Sequence, residues 1–280
     1  GMSVGGSVTQ GARLSTGAVT YTGSAGADTF IMNNFGDTIV GGAGGDTLII
    51  NTAAILGGIN VNLAATGNNI LSANGGAIAG SATGFTSVDL SGYTGTFGAV
   101  VTSAVKGSTI TGTGVIDQLT LGALGVDTIK LTSTAAAPTT GGVDEIFGFK
   151  AGTGGDVIDI SSFKGSAFTA ADFDEFSNAT GAGTIVSNHV HRVEYAGAIA
   201  ALNFGTAGAA NFDALIAGSG KYLVNTDISA TSIIAVQGTD ETHIYVQTDG
   251  AAAIDADDIT LIAVLNGVTN ATNLAAGNFV

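Results

Sequence analysis

Three aspartates spaced nine residues apart, Asp28, Asp37 and Asp46, carry the strongest chemical signal in the chain. Each is followed by Thr and then by a large apolar residue, Phe30, Ile39 or Leu48. Residues 23–49 divide into GSAGADTFI, MNNFGDTIV and GGAGGDTLI. The third copy fits G-G-x-G-x-D-x-U-x, with U a large apolar residue, at every fixed position. The first has Ser24 where one Gly belongs, and the middle one keeps only the Asp and the apolar position. Carboxylates recurring in one phase are hard oxygen ligands. They suit calcium, which takes roughly six or more oxygens in irregular geometry.

The phase returns downstream in weaker form. Asp117 and Asp127 stand ten apart, with Leu119 and Ile129 as their apolar partners, and Ser108 lies nine before Asp117. Asp144 in TTGGVDEIF lies 17 after Asp127, close to two repeat lengths, so this pair is expected to share an edge. Asp156 in AGTGGDVID takes the same role, with Ile158 following.

These spacings dictate the elements that must position the acids. Glycines accept the positive φ of a tight turn and leave carbonyls unobstructed. The D-T-L-I that follows suits a strand of three or four residues, with U inward and its neighbours outward. If each nonapeptide is one turn and one strand, two close a coil of 18 residues, and turns i and i+2 stack on one edge. Asp28 and Asp46 then fall together, while Asp37 sits on the opposite edge without a same-edge partner. Carboxylates stacked at a strand spacing of roughly 5 Å repel one another unless a cation lies between them. Residues 50–107 lack the Asp but keep β-type pieces such as INVNL, TSVDL and GAVVTS. Two accounts stay open there: a metal-free solenoid held by Asn and Ser/Thr turns, and an inserted β-structure.

Beyond Ser162 the phase stops. SAFTAADFDEF is expected to be a short helix capped by Ser166 or Thr169, and TAGAANFDALIAGSG a second, ending at Gly218. Strand-like runs follow in KYLVNT, TSIIAVQG, HIYVQT and ITLIAVLNGV. The expected fold is all-β: a parallel β-roll or solenoid over 1–163, then a β-rich region over 164–280 with one or two short helices.

Composition removes many functions. The 280 residues include 45 Gly but one Pro (Pro138), with no collagen-type period. There is no Cys, hence no disulfide, thiolate nucleophile or Cys-ligated zinc. Against 22 acids stand 7 Lys and Arg, a formal charge of −15 that disfavours nucleic acid as a partner. No apolar run is long enough to span a bilayer. After Lys221 there is no Lys or Arg, while Asp227, Asp240, Glu241, Asp249, Asp255, Asp257 and Asp258 follow. The N-terminal residues show neither the basic start nor the apolar stretch of a secretory signal peptide.

The nonapeptides at 23–49 resemble those of the RTX family, calcium-binding β-roll proteins exported by type I secretion in Gram-negative bacteria. VDEIFGFKAGTGGDVIDISSF (143–163) is similar to the segment that commonly closes such rolls. DGAAAIDADDITLIAVLNGV with LAAGNFV resembles the acidic, uncleaved export signal of that family, although Asn278 stands where an acid is frequent. The resemblance implies that Asp28 and Asp46, and by extension Asp37, Asp127 and Asp156, supply carboxylates to calcium. It implies that Gly23, Gly26, Gly41, Gly42 and Gly44 offer carbonyls. Asp117 and Asp144 join the candidate ligands through their phase.

The family also contains proteases and lipases, and their motifs are not found. None of His189, His191 and His243 belongs to H-E-x-x-H. No G-x-S-x-G elbow occurs. AGSGK (217–221) lacks the first Gly of a phosphate loop and the hydroxyl after Lys221. His189 and His191 fall on one face of a strand, most simply as an exposed pair. Asp172, Asp174 and Glu175 fit a solvated helix start. The expectation is a non-enzymatic, secreted, calcium-binding structural protein of the cell surface, of surface-layer or adhesin type. Its partners would be calcium, the type I export apparatus, and either further copies of itself or a cell-surface polysaccharide. Two alternatives differ in class: the carrier part of a type I-secreted enzyme, or a glycan- or ice-binding module with a flat Thr-rich face. The sequence shows only fragments of such a face, as in TITGTG and LTST.

Overall fold

A computed structural model describes residues 18–51, 57–73, 75–131, 143–163, 168–176, 183–184, 186–194, 223–224, 231–237, 241–247, 259–270 and 273–280. These residues are nearly all β, in predominantly parallel sheets with short turns. The chain divides into two units, 1–134 and 135–280.

The first unit is built from short strands: β1 (Thr20–Thr22), β2 (Thr29–Met32), β3 (Thr38–Val40), β4 (Asp46–Ile50), β5 (Ile59–Asn62) and β6 (Ile70–Ala73). β7 (Ser81–Thr83), β8 (Phe85–Asp89), β9 (Ala99–Thr102), β10 (Thr109–Thr111), β11 (Gln118–Thr120) and β12 (Thr128–Lys130) complete it. One side is a parallel stack in the order β12-β10-β8-β4-β2. The other strands form a parallel β1-β3-β7 sheet and a β11-β9-β5-β6 group, in which β6 is antiparallel to β5. From β1 to β5 and again from β7 to β12, successive strands alternate between the two sides, as a coil of two nonapeptides requires.

Register follows the apolar position of the repeat. Phe30 pairs with Leu48, Leu48 with Val88, Val88 with Ile110, and Ile110 with Ile129, and all five are buried. Val61, Val101 and Leu119 make a second column. Thr29 and Thr47, beside the inward residues, point outward, as the twofold alternation of a strand demands. They open a hydroxyl row with Ser87, Thr109 and Thr128 along the same stack.

The described part of residues 50–107 combines coil strands with an insertion. Bonded coils are 18 residues apart at Asp28 and Asp46 but 40 apart at Asp46 and Thr86, because β6 and its flanking loops are inserted. The coil continues around this insertion without a repeat Asp. Asn69 takes over the bracing: its Oδ1 accepts from the Phe85 amide at 3.0 Å, and its Nδ2 donates to the Asn62 and Ala65 carbonyls.

The second unit contains β13 (Asp144–Phe147), β14 (Val157–Asp159), β15 (Phe173–Phe176), β16 (Gly183–Thr184) and β17 (Val190–Glu194). β18 (Leu223–Val224), β19 (Ser232–Gln237), β20 (Glu241–Gln247) and β21 (Ile259–Asn266) follow. Here the order is β15-β17-β19-β20-β21-β13, with antiparallel pairing only at β19-β20 and β20-β21. The helix expected over SAFTAADFDEF is corrected. Thr169 stands at the N-cap position and donates its amide and hydroxyl to Asp172 Oδ2 at 2.6 and 2.9 Å, but only one 3-10 turn (Ala170–Asp172) follows. Residues 173–176 are instead drawn into parallel pairing with β17, where Phe173 packs against Phe279. Tertiary pairing overrides a weak local preference. The second expected helix lies outside the described residues. KYLVNT, TSIIAVQG, HIYVQT and ITLIAVLNGV each contain a strand.

The C-terminal residues pack into this unit. Val280 donates to the Ile158 carbonyl at 3.1 Å and accepts from the Ile160 amide at 2.8 Å, so the chain end pairs with β14. Phe279 is buried beside Phe168 and Phe173. Fully buried Asn278 accepts on Oδ1 from the Gly152 and Ala275 amides and donates from Nδ2 to the Asp156 and Gly152 carbonyls.

Candidate functional site

Asp28, Asp37, Asp46, Asp117, Asp127 and Asp156 are all buried, at 0–1% exposure, each just ahead of or opening its strand. A buried carboxylate needs hydrogen-bond donors or a cation, and the turn supplies donors in a repeated pattern. One oxygen reaches back a coil. Asp46 Oδ1 accepts from the Asp28 amide at 2.8 Å, Asp37 Oδ1 from Val19 at 3.1 Å, Asp117 Oδ1 from Ala99 at 2.7 Å and Asp127 Oδ1 from Ser108 at 2.7 Å. Carboxylates therefore clip successive coils together through the backbone.

The second oxygen braces the turn of its own coil. Asp28 Oδ2 accepts from the amide and hydroxyl of Ser24, four residues back, at 2.6 and 2.9 Å. Thr113 serves Asp117 in the same way, its amide reaching Oδ2 at 2.6 Å and its hydroxyl Oδ1 at 2.8 Å. Ser103 Oγ and the Gly122 amide serve Asp127 Oδ2 at 3.1 and 3.3 Å. At Ser108 the hydroxyl replaces the carboxylate and accepts from the Ala104 amide at 2.7 Å.

Asp46 departs from this pattern. Four residues back lies Gly42, at φ +109°, and Asp46 Oδ2 is buried with no hydrogen-bond partner. Burial raises the Asp46 pKa above the usual carboxylate range; the bond from the Asp28 amide opposes this and the Asp28 charge adds to it. The only fully intact nonapeptide thus holds an underserved carboxylate beside a second one. Glycine is required around it. A Cβ on Gly41 would meet Asp46 Oδ2 at 2.7 Å, and one on Gly23 would meet Asp28 Oδ2 at 2.7 Å and the Gly41 carbonyl at 2.0 Å. Gly42 and Gly44 run close over the Ser24 and Gly26 carbonyls. This corner is lined by oxygen, which fits a hard cation held by Asp28, Asp46 and glycine carbonyls. Among the described residues no three His, Asp or Glu side chains converge as a metal-holding group, so backbone oxygens would have to complete the shell.

The remaining candidates stand elsewhere. Asp37 lies on the opposite side, ahead of β3 in the β1-β3-β7 sheet. Burial raises the Asp117 pKa, opposed by the Ala99 and Thr113 bonds that already serve both its oxygens. At Asp156 the chain supplies its own cation: Lys150 donates its amide to Oδ2 at 2.8 Å and places Nζ 3.7 Å from Oδ1. Asp144 opens β13 opposite Ala263, half-buried, in the unit that does not contain Asp127.

Two polar groupings in the second unit were not foreseen. His189 and His191 are not an exposed pair: His191 is fully buried and its ring stacks on that of His189, centroids 6.1 Å apart. Asp174 Oδ2 lies 2.7 Å from His189 Nδ1 and 3.3 Å from His191 Nδ1. Burial pushes the His191 pKa down to about 4, with the Val186 bond and the Asp174 charge opposing. On β20, Glu241 Oε1 lies 2.7 Å from His243 Nε2, whose Nδ1 is 3.1 Å from the Tyr245 hydroxyl. Burial, with the Glu241 charge adding to it, pushes the Tyr245 pKa up. The signal for this row was present as E-x-H-x-Y, one face of a strand.

Comparison with protein-family models and with curated proteins finds no match for this chain.

Proposed function

We propose that this chain is a calcium-ordered structural protein of the outer surface of a Gram-negative cell, of surface-layer or adhesin type, exported by type I secretion. The reading rests on one observation: Asp46 keeps a buried, unpartnered oxygen beside the carboxylate of Asp28, one coil away. Bound calcium would supply positive charge that offsets their repulsion. The chain's own residues do the rest. Asp28 and Asp46 hold the ion, Gly23 and Gly41 leave it room, and the carboxylate-to-amide bonds keep the turns in register. With a net charge of −15, cation loss would loosen the coil further. Asp117, Asp127 and Asp156 need no ion to be satisfied, so few calcium ions suffice. The test is thermal unfolding with calcium against NaCl of equal ionic strength. A calcium-specific rise in midpoint, reversed by EDTA, supports the reading; an unchanged midpoint rejects it.

A second reading, a ligand-binding face, gains from the hydroxyl row Thr29, Thr47, Ser87, Thr109 and Thr128, which folding assembles from fragments scattered in the sequence. Retention on insoluble polysaccharide, lost when Thr47 and Thr109 become Val, would favour it.

A further inference from the structure

Asn266 closes β21, and exposed Gly267 follows it at φ +80°. A side chain on Gly267 would meet nothing within 4 Å, so the peptide lies open. Among the described residues no carbonyl accepts a hydrogen bond from the Gly267 amide. The Asn266 Nδ2 is buried and has no hydrogen-bond partner. Among the described residues neither the attacking nitrogen nor the departing amine has a hydrogen-bond partner, at a junction where glycine removes steric hindrance. Asn-Gly occurs at one other place in the chain, Asn74–Gly75.

We propose that Asn266 is a site of spontaneous deamidation. The Gly267 backbone nitrogen gives up its proton to solvent base and attacks Asn266 Cγ. The new N–Cγ bond closes a five-membered imide, while the Cγ–Nδ2 bond breaks and Nδ2 leaves as ammonia with a proton from water. Water then adds to one of the two imide carbonyls and opens the ring to aspartate or isoaspartate; nothing is oxidised or reduced. The product bears one more negative charge. Asn266 stands in register with Glu241 across β20-β21 and with Phe147 across β13-β21. The new carboxylate therefore arises beside Glu241, the hydrogen-bond partner of His243, and isoaspartate adds a backbone methylene at the end of a strand paired on both sides. The second unit would carry a slow, irreversible ageing mark at the end of one of its inner strands.

The experiment is warm, mildly alkaline incubation of the folded full-length chain, followed by peptide mapping that separates Asn, Asp and isoAsp. Conversion at Asn266 should run several-fold ahead of Asn270, Asn273 and Asn278, which sit in the same stretch without a following Gly. Conversion at Asn266 no faster than at those three overturns the proposal. Gly267→Ala should slow conversion at Asn266, with circular dichroism checking the fold; an unchanged rate in a folded variant also overturns it. If that variant fails to fold, the ranking within the wild-type chain decides alone.

Discussion

The Asp28 amide donates to Asp46 Oδ1 across 2.8 Å, so a residue that presents its own carboxylate to one turn is held by the carboxylate of the next. Each repeat aspartate is thus a bracket within the backbone before it is a ligand. Asp117 and Asp127 meet both demands with N–H and O–H donors. Asp46 does not, and the difference lies in Gly42 standing where Ser24 and Thr113 stand in the satisfied copies.

Asp46→Asn and Asp46→Ala should therefore diverge. The Asn Oδ1 can keep the bond from the Asp28 amide while the charge beside Asp28 is removed. Without calcium, Asp46→Asn should hold or raise the unfolding midpoint, and Asp46→Ala should lower the midpoint, costing about 1–3 kcal/mol of stability through the orphaned amide. Both should abolish the response to calcium. Asp37→Ala, altered on the other side of the coil, should lower stability and leave that response largely intact. Calorimetric titration with calcium checks this; equal loss of binding at positions 37 and 46 would break the two-edge account.

Asp117→Ala removes the acceptor for Ala99 and Thr113 amides in a fully buried corner. The expected cost is about 2–5 kcal/mol, independent of calcium. Asp117→Asn should cost less, since one amide oxygen still accepts. Denaturant midpoints with and without EDTA read the two apart.

The periodic part of this architecture was legible in the sequence. A D-T-U unit recurring every nine residues places the inward residue and the side of the coil, and Phe30, Ile39, Leu48, Leu119, Ile129 and Ile158 are all buried. The period does not reveal which carboxylate oxygen meets which amide, because that depends on turn conformation four residues upstream. Nor could residues 173–176 be assigned from local pattern, since their strand is made by pairing with β17. His189 lies just ahead of β17 and His191 within it, their rings stacked, but the burial of His191 comes from the sheet around it and leaves no local trace.

His191 sets a pH dependence whose sign follows from burial. In the unfolded chain it takes a proton near its ordinary value of 6.5, and in the folded chain only at about 4. Between these values the unfolded state binds more protons, so stability is lost as pH falls. The His191 contribution across that window is on the order of 3 kcal/mol, at about 1.4 kcal/mol for each pKa unit. Asp46 and Asp117, raised by burial, act in the opposite direction, costing stability as pH rises through the carboxylate range. His191→Gln should flatten the loss between pH 6.5 and 4.5, measured as the urea midpoint at each pH.

Asn278 cannot be exchanged for the nearly isosteric Asp. Its Nδ2 donates to the Asp156 carbonyl at 2.6 Å and to Gly152 at 3.2 Å, and a carboxylate has no proton to give. Asn278→Asp should cost about 2–4 kcal/mol by setting a buried charge against carbonyls. Thermal unfolding of the pair of proteins is sufficient, and an unchanged midpoint would show that the amide is dispensable.

The bonds of Asn278 also say something about time. In the first unit the carboxylate clips join residues 18 or 19 apart, so one coil can template the next and order can spread stepwise. The Gly152–Asn278 bond joins residues 126 apart, and closing so long a loop costs entropy before any contact repays it. The second unit therefore completes its fold late, after Asn278 has been synthesised and brought back to the Gly152 turn. During that interval Phe279, buried once the unit has closed, stays exposed to solvent.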